Sequence, residues 1–312
     1  MKIKIESFHP SRIDEVLALW NQTLVFDPIQ KPSFIANHLG DPDFESDLFL
    51  LAYDECTLIG FVYAIQKKAS VPNDTAWIQC LGVDPRHRRN GIATRLMEVL
   101  LKELDSRNVK RIVAGKYSPS YLFPGIDETH YPDALPFFKK FGFVQTGESF
   151  GMSMPLHSYV YPASVRETKS KLQASGYGFS PYMEIHSPRL IHLLESQFKP
   201  SWRNTLLKLI KNGSGHQTIH IATYQDEVVG FTSRSGIDGD LDRFGPFGIH
   251  PEHRNQGLGE VLFHETMLGM RDHGSTHAFF KSTDAKASRF YQRQGMAVDR
   301  VFIEMECLKD NH

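Results

Sequence analysis

Phe247-Gly248-Ile249-His250-Pro251-Glu252-His253-Arg254-Asn255-Gln256-Gly257-Leu258-Gly259 is the stretch on which the reading of this chain turns. It begins as an extended apolar run, breaks at Pro251, and reaches two glycines where a helical pattern starts. That is a strand, a turn and a helix. The first N–H groups of such a helix have no intrahelical partner, and glycine keeps side chains out of a ligand's way. The helix dipole adds positive potential, so the junction suits a phosphate. Taken alone, Gly-x-Gly at a helix start is ambiguous, because it also opens turns that bind nothing.

The same construction occurs earlier, as Leu81-Gly82-Val83-Asp84-Pro85-Arg86-His87-Arg88-Arg89-Asn90-Gly91-Ile92-Ala93. A single offset of 166 residues sets Pro85 on Pro251, Arg88 on Arg254, Gly91 on Gly257 and Ala93 on Gly259. The chain reads as a duplication. A dinucleotide fingerprint would have Gly-x-Gly-x-x-Gly and an acid about 20 residues on, and neither copy fits.

Both copies, written Arg-x-x-Gly-x-Gly/Ala after an apolar strand, resemble the pyrophosphate-binding motif of the GNAT superfamily of acyl-CoA-dependent N-acyltransferases. The resemblance implies an α/β fold (α+β by some schemes) of two tandem domains, each a mixed, mostly antiparallel twisted sheet flanked by helices. The expected domains are 1–156 and 157–312, with a linking helix at about 162–176 that suits either half.

The order of elements agrees. Ile3 and Ile5 start a strand, and Arg12 to Asn21 a helix; Asp47 to Tyr53 and Leu58 to Ile65 form a hairpin. Trp77 to Val83 is the central strand of the first half, and Ile92, Leu96, Val99, Leu100 and Leu104 stripe the helix after it. Val71 to Asn73 reads as a turn, Val109 to Ala114 as a strand, and Ser149 to Met154 and Val298 to Leu308 as the final strands of their halves. The second half repeats the pattern from a strand at Met183-Glu184-Ile185, and Gly60-Phe61 reappears as Gly230-Phe231.

At 312 residues the chain suits two domains that each bury a core. Lys plus Arg is 35 against 36 Asp plus Glu, which disfavours nucleic acid and lipid surfaces. Three unpaired cysteines, no signal-peptide pattern and no apolar run near 20 residues point to a soluble cytoplasmic protein. Cys-x-x-Cys and His-Glu-x-x-His do not occur, so metal chemistry lacks support.

Carried over residue by residue, the resemblance implies acetyl-CoA as cosubstrate, bound through its arm by the backbone of Phe247, Gly248 and Ile249, and of Leu81, Gly82 and Val83. Its phosphates fall to Arg254, Asn255, Gln256, Gly257, Leu258, Gly259 and Glu260, and to Arg88, Arg89, Asn90, Gly91, Ile92, Ala93 and Thr94. Ala287 to Tyr291 before Gly295 places Tyr291 as proton donor, with Asp284 where the family often has Asn. In the first half Phe138 stands at that tyrosine position and cannot give a proton; Tyr131 and Tyr121 are the alternatives. Asp242 is a candidate base, although a solvated strand-end acid is the commoner case.

The implied activity is acetyl transfer to a primary amine of a small molecule or peptide, catalysed by the second half. The other reading is a binding protein that holds acyl-CoA without transfer. A monomer with pseudo-dimeric halves and a homodimer are both compatible with the repeat.

Overall fold

The computed structural model describes residues 3–68, 73–118, 122–236 and 239–309. The expected turn at Val71 and the alternative donor Tyr121 lie outside these residues. Twelve strands occur among them: β1 (Ile3–Ser7), β2 (Phe49–Asp54), β3 (Thr57–Gln66), β4 (Thr75–Val83), β5 (Arg111–Ala114) and β6 (Val144–Pro155). They continue as β7 (Tyr177–Pro181), β8 (Ile219–Tyr224), β9 (Glu227–Arg234), β10 (Phe244–Ile249), β11 (His277–Phe280) and β12 (Ala297–Leu308).

The chain forms two compact units, Met1–Ser149 with Val301–His312, and Phe150–Arg300. This differs from the expected division at 156/157 in its last strand. Residues Met305 to Leu308 of β12 pair antiparallel with β5 in the first unit, while Met152 to Pro155 of β6 pair with β11 in the second. An apolar, alternating strand can extend any open sheet edge, so its own sequence does not name its partner.

In the first unit the strand order is β1-β2-β3-β4-β5-β12-β6, antiparallel except for β4 beside β5. Apolar residues alternate along β2 and β3. Leu50, Ala52, Val62 and Ala64 meet the helix Ile92–Ser106, whereas Phe49, Leu51, Phe61 and Tyr63 meet Trp20 and Val16 of the helix Ile13–Thr23. Leu96, Leu100 and Leu104 are fully buried, worth about 1.5–3 kcal/mol each against exposure. Val99, expected on the same stripe, is exposed, because the buried positions advance in steps of four and leave it off the face.

The second unit has the sheet order β10-β9-β8-β7, all antiparallel. One face packs on Leu258–Asp272, and the other on Ser187–Gln197 and Pro200–Lys211 through Leu190, Leu194, Leu206 and Leu209. Its first strand is Tyr177–Pro181; the expected strand at Glu184-Ile185 is a single 3-10 turn at Glu184–His186, cut short by Pro188 opening the next helix. The linking helix, Ala163–Ala174, belongs to this unit. Val165 and Leu172 join Leu258, Val261 and Leu262, and Lys169 pairs with Glu265 at 2.8 Å. No helix among the described residues is long and apolar enough to cross a membrane.

Candidate functional site

The two motif copies have the same backbone. After the strand comes a 3-10 turn, Pro85–His87 or Pro251–His253, then two left-handed positions: Arg89 (φ 64°) with Gly91 (φ 75°), and Asn255 (φ 61°) with Gly257 (φ 97°). A left-handed arginine is uncommon, and such strain is retained where the loop shape matters. The first helical closures are Arg95 N–H to Gly91 O (3.0 Å) and Val261 N–H to Gly257 O (3.1 Å), and no side chain caps either helix. The N–H groups of Ile92, Ala93 and Thr94, and of Leu258, Gly259 and Glu260, therefore form two uncapped donor clusters at positive helix ends. Each can receive phosphate oxygens.

The loop side chains are partly committed. Arg88 Nε donates to Val83 O at 3.2 Å, and Arg254 Nε to Ile249 O at 3.0 Å, so each arginine ties its loop to the strand end and keeps its terminal N–H groups for an anion. Arg89 pairs with Asp133 at 2.5 Å. Asn90 donates to His87 O, and Gln256 accepts from Tyr177 at 2.8 Å. His253 meets the same Tyr177 hydroxyl at 2.9 Å, and burial lowers its pKa. Asp84, which caps the first turn, is held down to about 2, chiefly by the Arg86 side chain.

Before each loop the central strand loses a neighbour. β4 pairs with β3 along its length but with β5 only from Thr75 to Ile78. β10 pairs with β9, and among the described residues no β10 residue pairs with β11, the Arg243–Phe279 bridge lying just before β10. The edges carrying Leu81-Gly82-Val83 and Phe247-Gly248-Ile249 thus diverge from the next strand, and an extended chain with amide groups can pair there as an added strand. Gly82 and Gly248 are required by packing: a Cβ would lie 2.7 Å from the Phe61 ring at the first and 2.5 Å from the Phe198 ring at the second.

Tyr291 projects from the helix Ala285–Arg293 into the gap between β10 and β11. Its ring lies 4.7 Å from Phe280, 6.1 Å from Phe244 and 6.2 Å from Phe247, centre to centre. Its hydroxyl makes no hydrogen bond among the described residues, and its pKa is raised by burial and then by the Asp284 charge. It stays protonated. Asp284 Oδ1 accepts from the N–H groups of Lys286 and Ala287, both at 2.8 Å, and so serves as the helix N-cap in place of Asn.

The counterpart Phe138 is a core side chain, edge-on to Phe143 at 5.0 Å. Tyr131 donates to Asp27 at 2.8 Å. Asp242 is not among the charges acting on Tyr291; its carboxylate meets His277 Nδ1 at 3.0 Å, and its carbonyl accepts from Phe279 N–H. Sequence reading missed His277, and also Thr168, whose Cγ2 would lie 2.7 Å from a Cβ at Gly257; a Cβ at Gly91 would meet nothing within 4 Å. No motif signals either contact.

Residues 13–143 match the family model for the acetyltransferase (GNAT) family, and residues 215–295 match that for the acetyltransferase (GNAT) domain. The chain belongs to the GNAT acetyltransferases. Its fold is that of two tandem GNAT domains. Among solved structures it is similar to the GCN5-related glucosamine N-acetyltransferase region of a fungal multi-domain GH3 β-N-acetylglucosaminidase (TM-score 0.80, 19% identity). That match covers 98% of this chain, which spans 38% of that protein. It is also similar to a GCN5-related N-acetyltransferase from Sphaerobacter thermophilus (0.72, 14%, covering 98% and 95%) and to a tandem GNAT protein of the clavulanic acid pathway (0.68, 14%, covering 100% of both). A search of curated proteins found no match.

Proposed function

We propose that this GNAT protein transfers the acetyl group of acetyl-CoA to a primary amine by direct attack, with the second unit carrying the chemistry. The observation that supports this most is Tyr291, a protonated phenol with no hydrogen-bond partner among the described residues, in the gap beside the free edge of β10. The amine nitrogen forms the new C–N bond, the C–S bond breaks, the sulfur takes a proton, and the amine loses one. A phenol raised by burial holds its proton until a thiolate develops beside it, then donates a hydrogen bond to that charge. Asp242 enters as the carboxylate that orients His277, and this pair is the candidate acceptor for the amine's proton.

In the first unit the same donor cluster and free edge support acyl-CoA binding, while Phe138 supplies no proton. A holding role for that unit is the second reading. The similarity to a glucosamine N-acetyltransferase region makes glucosamine the first acceptor to assay. The test is thiol release from acetyl-CoA with glucosamine, simple diamines and peptide N-termini, for wild type and Tyr291→Phe. Amine-dependent release that collapses in the variant is expected; release that ignores both amine and variant would overturn the mechanism.

A further inference from the structure

Tyr291 hangs from the helix Ala285–Arg293, and the turn that ends this helix closes on Tyr291 itself. Its carbonyl accepts the N–H of Gln294 at 3.0 Å and that of Met296 at 3.0 Å. The Gln294 side chain then reaches away from its own helix. Its Oε1 lies 3.0 Å from Nε2 of His264, on the helix Leu258–Asp272. That second helix starts at the second phosphate loop, and His264 sits six residues along it from Leu258, about 9 Å of axis.

His264 is 5% exposed and has a partner on each side of its ring. Nδ1 lies 2.6 Å from the Tyr159 hydroxyl, and the Tyr159 carbonyl is held in turn by Arg271 Nη1 at 2.7 Å. Burial lowers the His264 pKa, which keeps the ring neutral with one N–H and one lone pair. The Gln294 oxygen can only accept, so the N–H is at Nε2 and the lone pair at Nδ1 accepts the Tyr159 O–H. The tautomer is thereby set, and the bond to Gln294 has a fixed direction.

Apolar contacts also hold the donor helix, with Phe290 5.8 Å from Phe247 and Tyr291 6.0 Å from Phe263, centre to centre. Such contacts are non-directional and tolerate sliding, whereas a hydrogen bond weakens steeply once its angle or length drifts. Among the described residues the first unit has no such tie. Aligned on Gly91 and Gly257, Glu98 stands at the place of His264 and is exposed; aligned on Phe138 and Tyr291, Phe141 stands at that of Gln294 and packs on the core. The bond accompanies the phenol, and it is missing where Phe138 replaces it.

We propose that His264 is a positioning residue for acetyl transfer: through Gln294 it locks the last turn of the donor helix to the helix that starts at the phosphate loop, and so sets the distance between the held cofactor and the Tyr291 phenol. This inference rests on the reading of Tyr291 as proton donor. A donor displaced by about 1 Å loses turnover rather than binding, because it meets the sulfur only as the C–S bond breaks.

Two amides separate positioning from the filling of space. In His264→Gln the side-chain nitrogen reaches the place of Nε2 and still donates to Gln294; in His264→Asn it stops at the place of Nδ1 and leaves Gln294 unbonded. With acetyl-CoA and glucosamine, His264→Asn and Gln294→Met should each lower kcat about tenfold or more with KM within about twofold, and the two together should lose no more than either alone. His264→Gln should stay within about threefold of wild type. Amide hydrogen exchange of the full chain reads the same tie without turnover: the Gln294 and Met296 N–H groups should exchange at least about tenfold faster in His264→Asn and Gln294→Met, but not in His264→Gln. Unchanged exchange in His264→Asn, or equal kcat losses in His264→Asn and His264→Gln, overturns the role. Tyr291→Phe run alongside keeps the two readings apart. Turnover lost there but kept in His264→Asn fails the positioning role alone, while turnover unchanged in Tyr291→Phe fails the donor reading and this role with it.

Discussion

Gly91 and Gly257 hold the same place in two copies of one motif and share a left-handed backbone, yet a Cβ would meet empty space at the first and Thr168 at the second. The repeat determines the loop; the segments between repeats determine what lies on it. The linking helix Ala163–Ala174 sets Thr168 against the second loop. The proton-donor positions diverge in the other direction, with Tyr291 retained beside the second loop and Phe138 absorbed into a core beside the first. Each unit thus keeps part of the machinery that the motif implies.

The largest effect that would break this contrast is on turnover. Tyr291→Phe should lower kcat by about 10²–10⁴ with KM little changed, since it removes a group used only as the thiolate forms. Phe138→Tyr should gain nothing, because that side chain is packed against Phe143 in the core. Turnover unchanged in Tyr291→Phe would move the chemistry to the first unit and reverse the comparison.

Next comes the count of cofactor sites. Both donor clusters are uncapped, so calorimetry should find two acetyl-CoA sites in wild type and one in Gly91→Tyr. The filled loop should weaken by about a hundredfold or more, equivalent to about 2.7 kcal/mol. One site in wild type that survives Gly91→Tyr would leave the first loop a scaffold.

Stability sharpens the same comparison. Gly91→Ala places a non-glycine residue in the left-handed region and nothing else, at a cost of about 1–2 kcal/mol. Gly257→Ala adds the clash with Thr168 and should cost about 3 kcal/mol in urea unfolding. Thr168→Ser, which removes the offending methyl, should recover much of the difference. Equal losses at the two glycines would mean that the linking helix does not press on the second loop in solution.

The duplication, the two phosphate loops and the helix stripes were legible in the sequence because each is local: glycine and proline punctuation within a dozen residues, and a period of 3.6. The strand assignment at the end of each half was not. Met305 pairs with Ala114 across the length of the chain, and nothing within β12 distinguishes that edge from another. The Tyr131–Asp27 contact was hidden for the same reason, since it joins residues far apart in the sequence. Tyr291 was readable because a tyrosine before Gly295 carries a family pattern; His277 and Thr168 carry none.

The smallest effect tests how the two arginines work. Arg88 and Arg254 each use Nε to hold a strand-end carbonyl, and a lysine in that place would keep the charge while losing the planar N–H that makes this bond. Arg254→Lys should therefore lower stability by about 0.5–1.5 kcal/mol, the worth of one hydrogen bond, yet weaken acetyl-CoA only about two- to threefold. Arg254→Ala loses both the tie and the charge and should weaken binding by about five- to tenfold, still far less than filling a glycine, because the free backbone N–H groups of Leu258, Gly259 and Glu260 remain in place. Arg88 should behave alike, which makes the pair a matched control across the two units. Should Arg254→Lys abolish binding while leaving the urea midpoint unchanged, the guanidinium fork rather than the helix end would be the principal hold on the phosphates, and the equivalence of the two loops would rest on their arginines instead of their backbone.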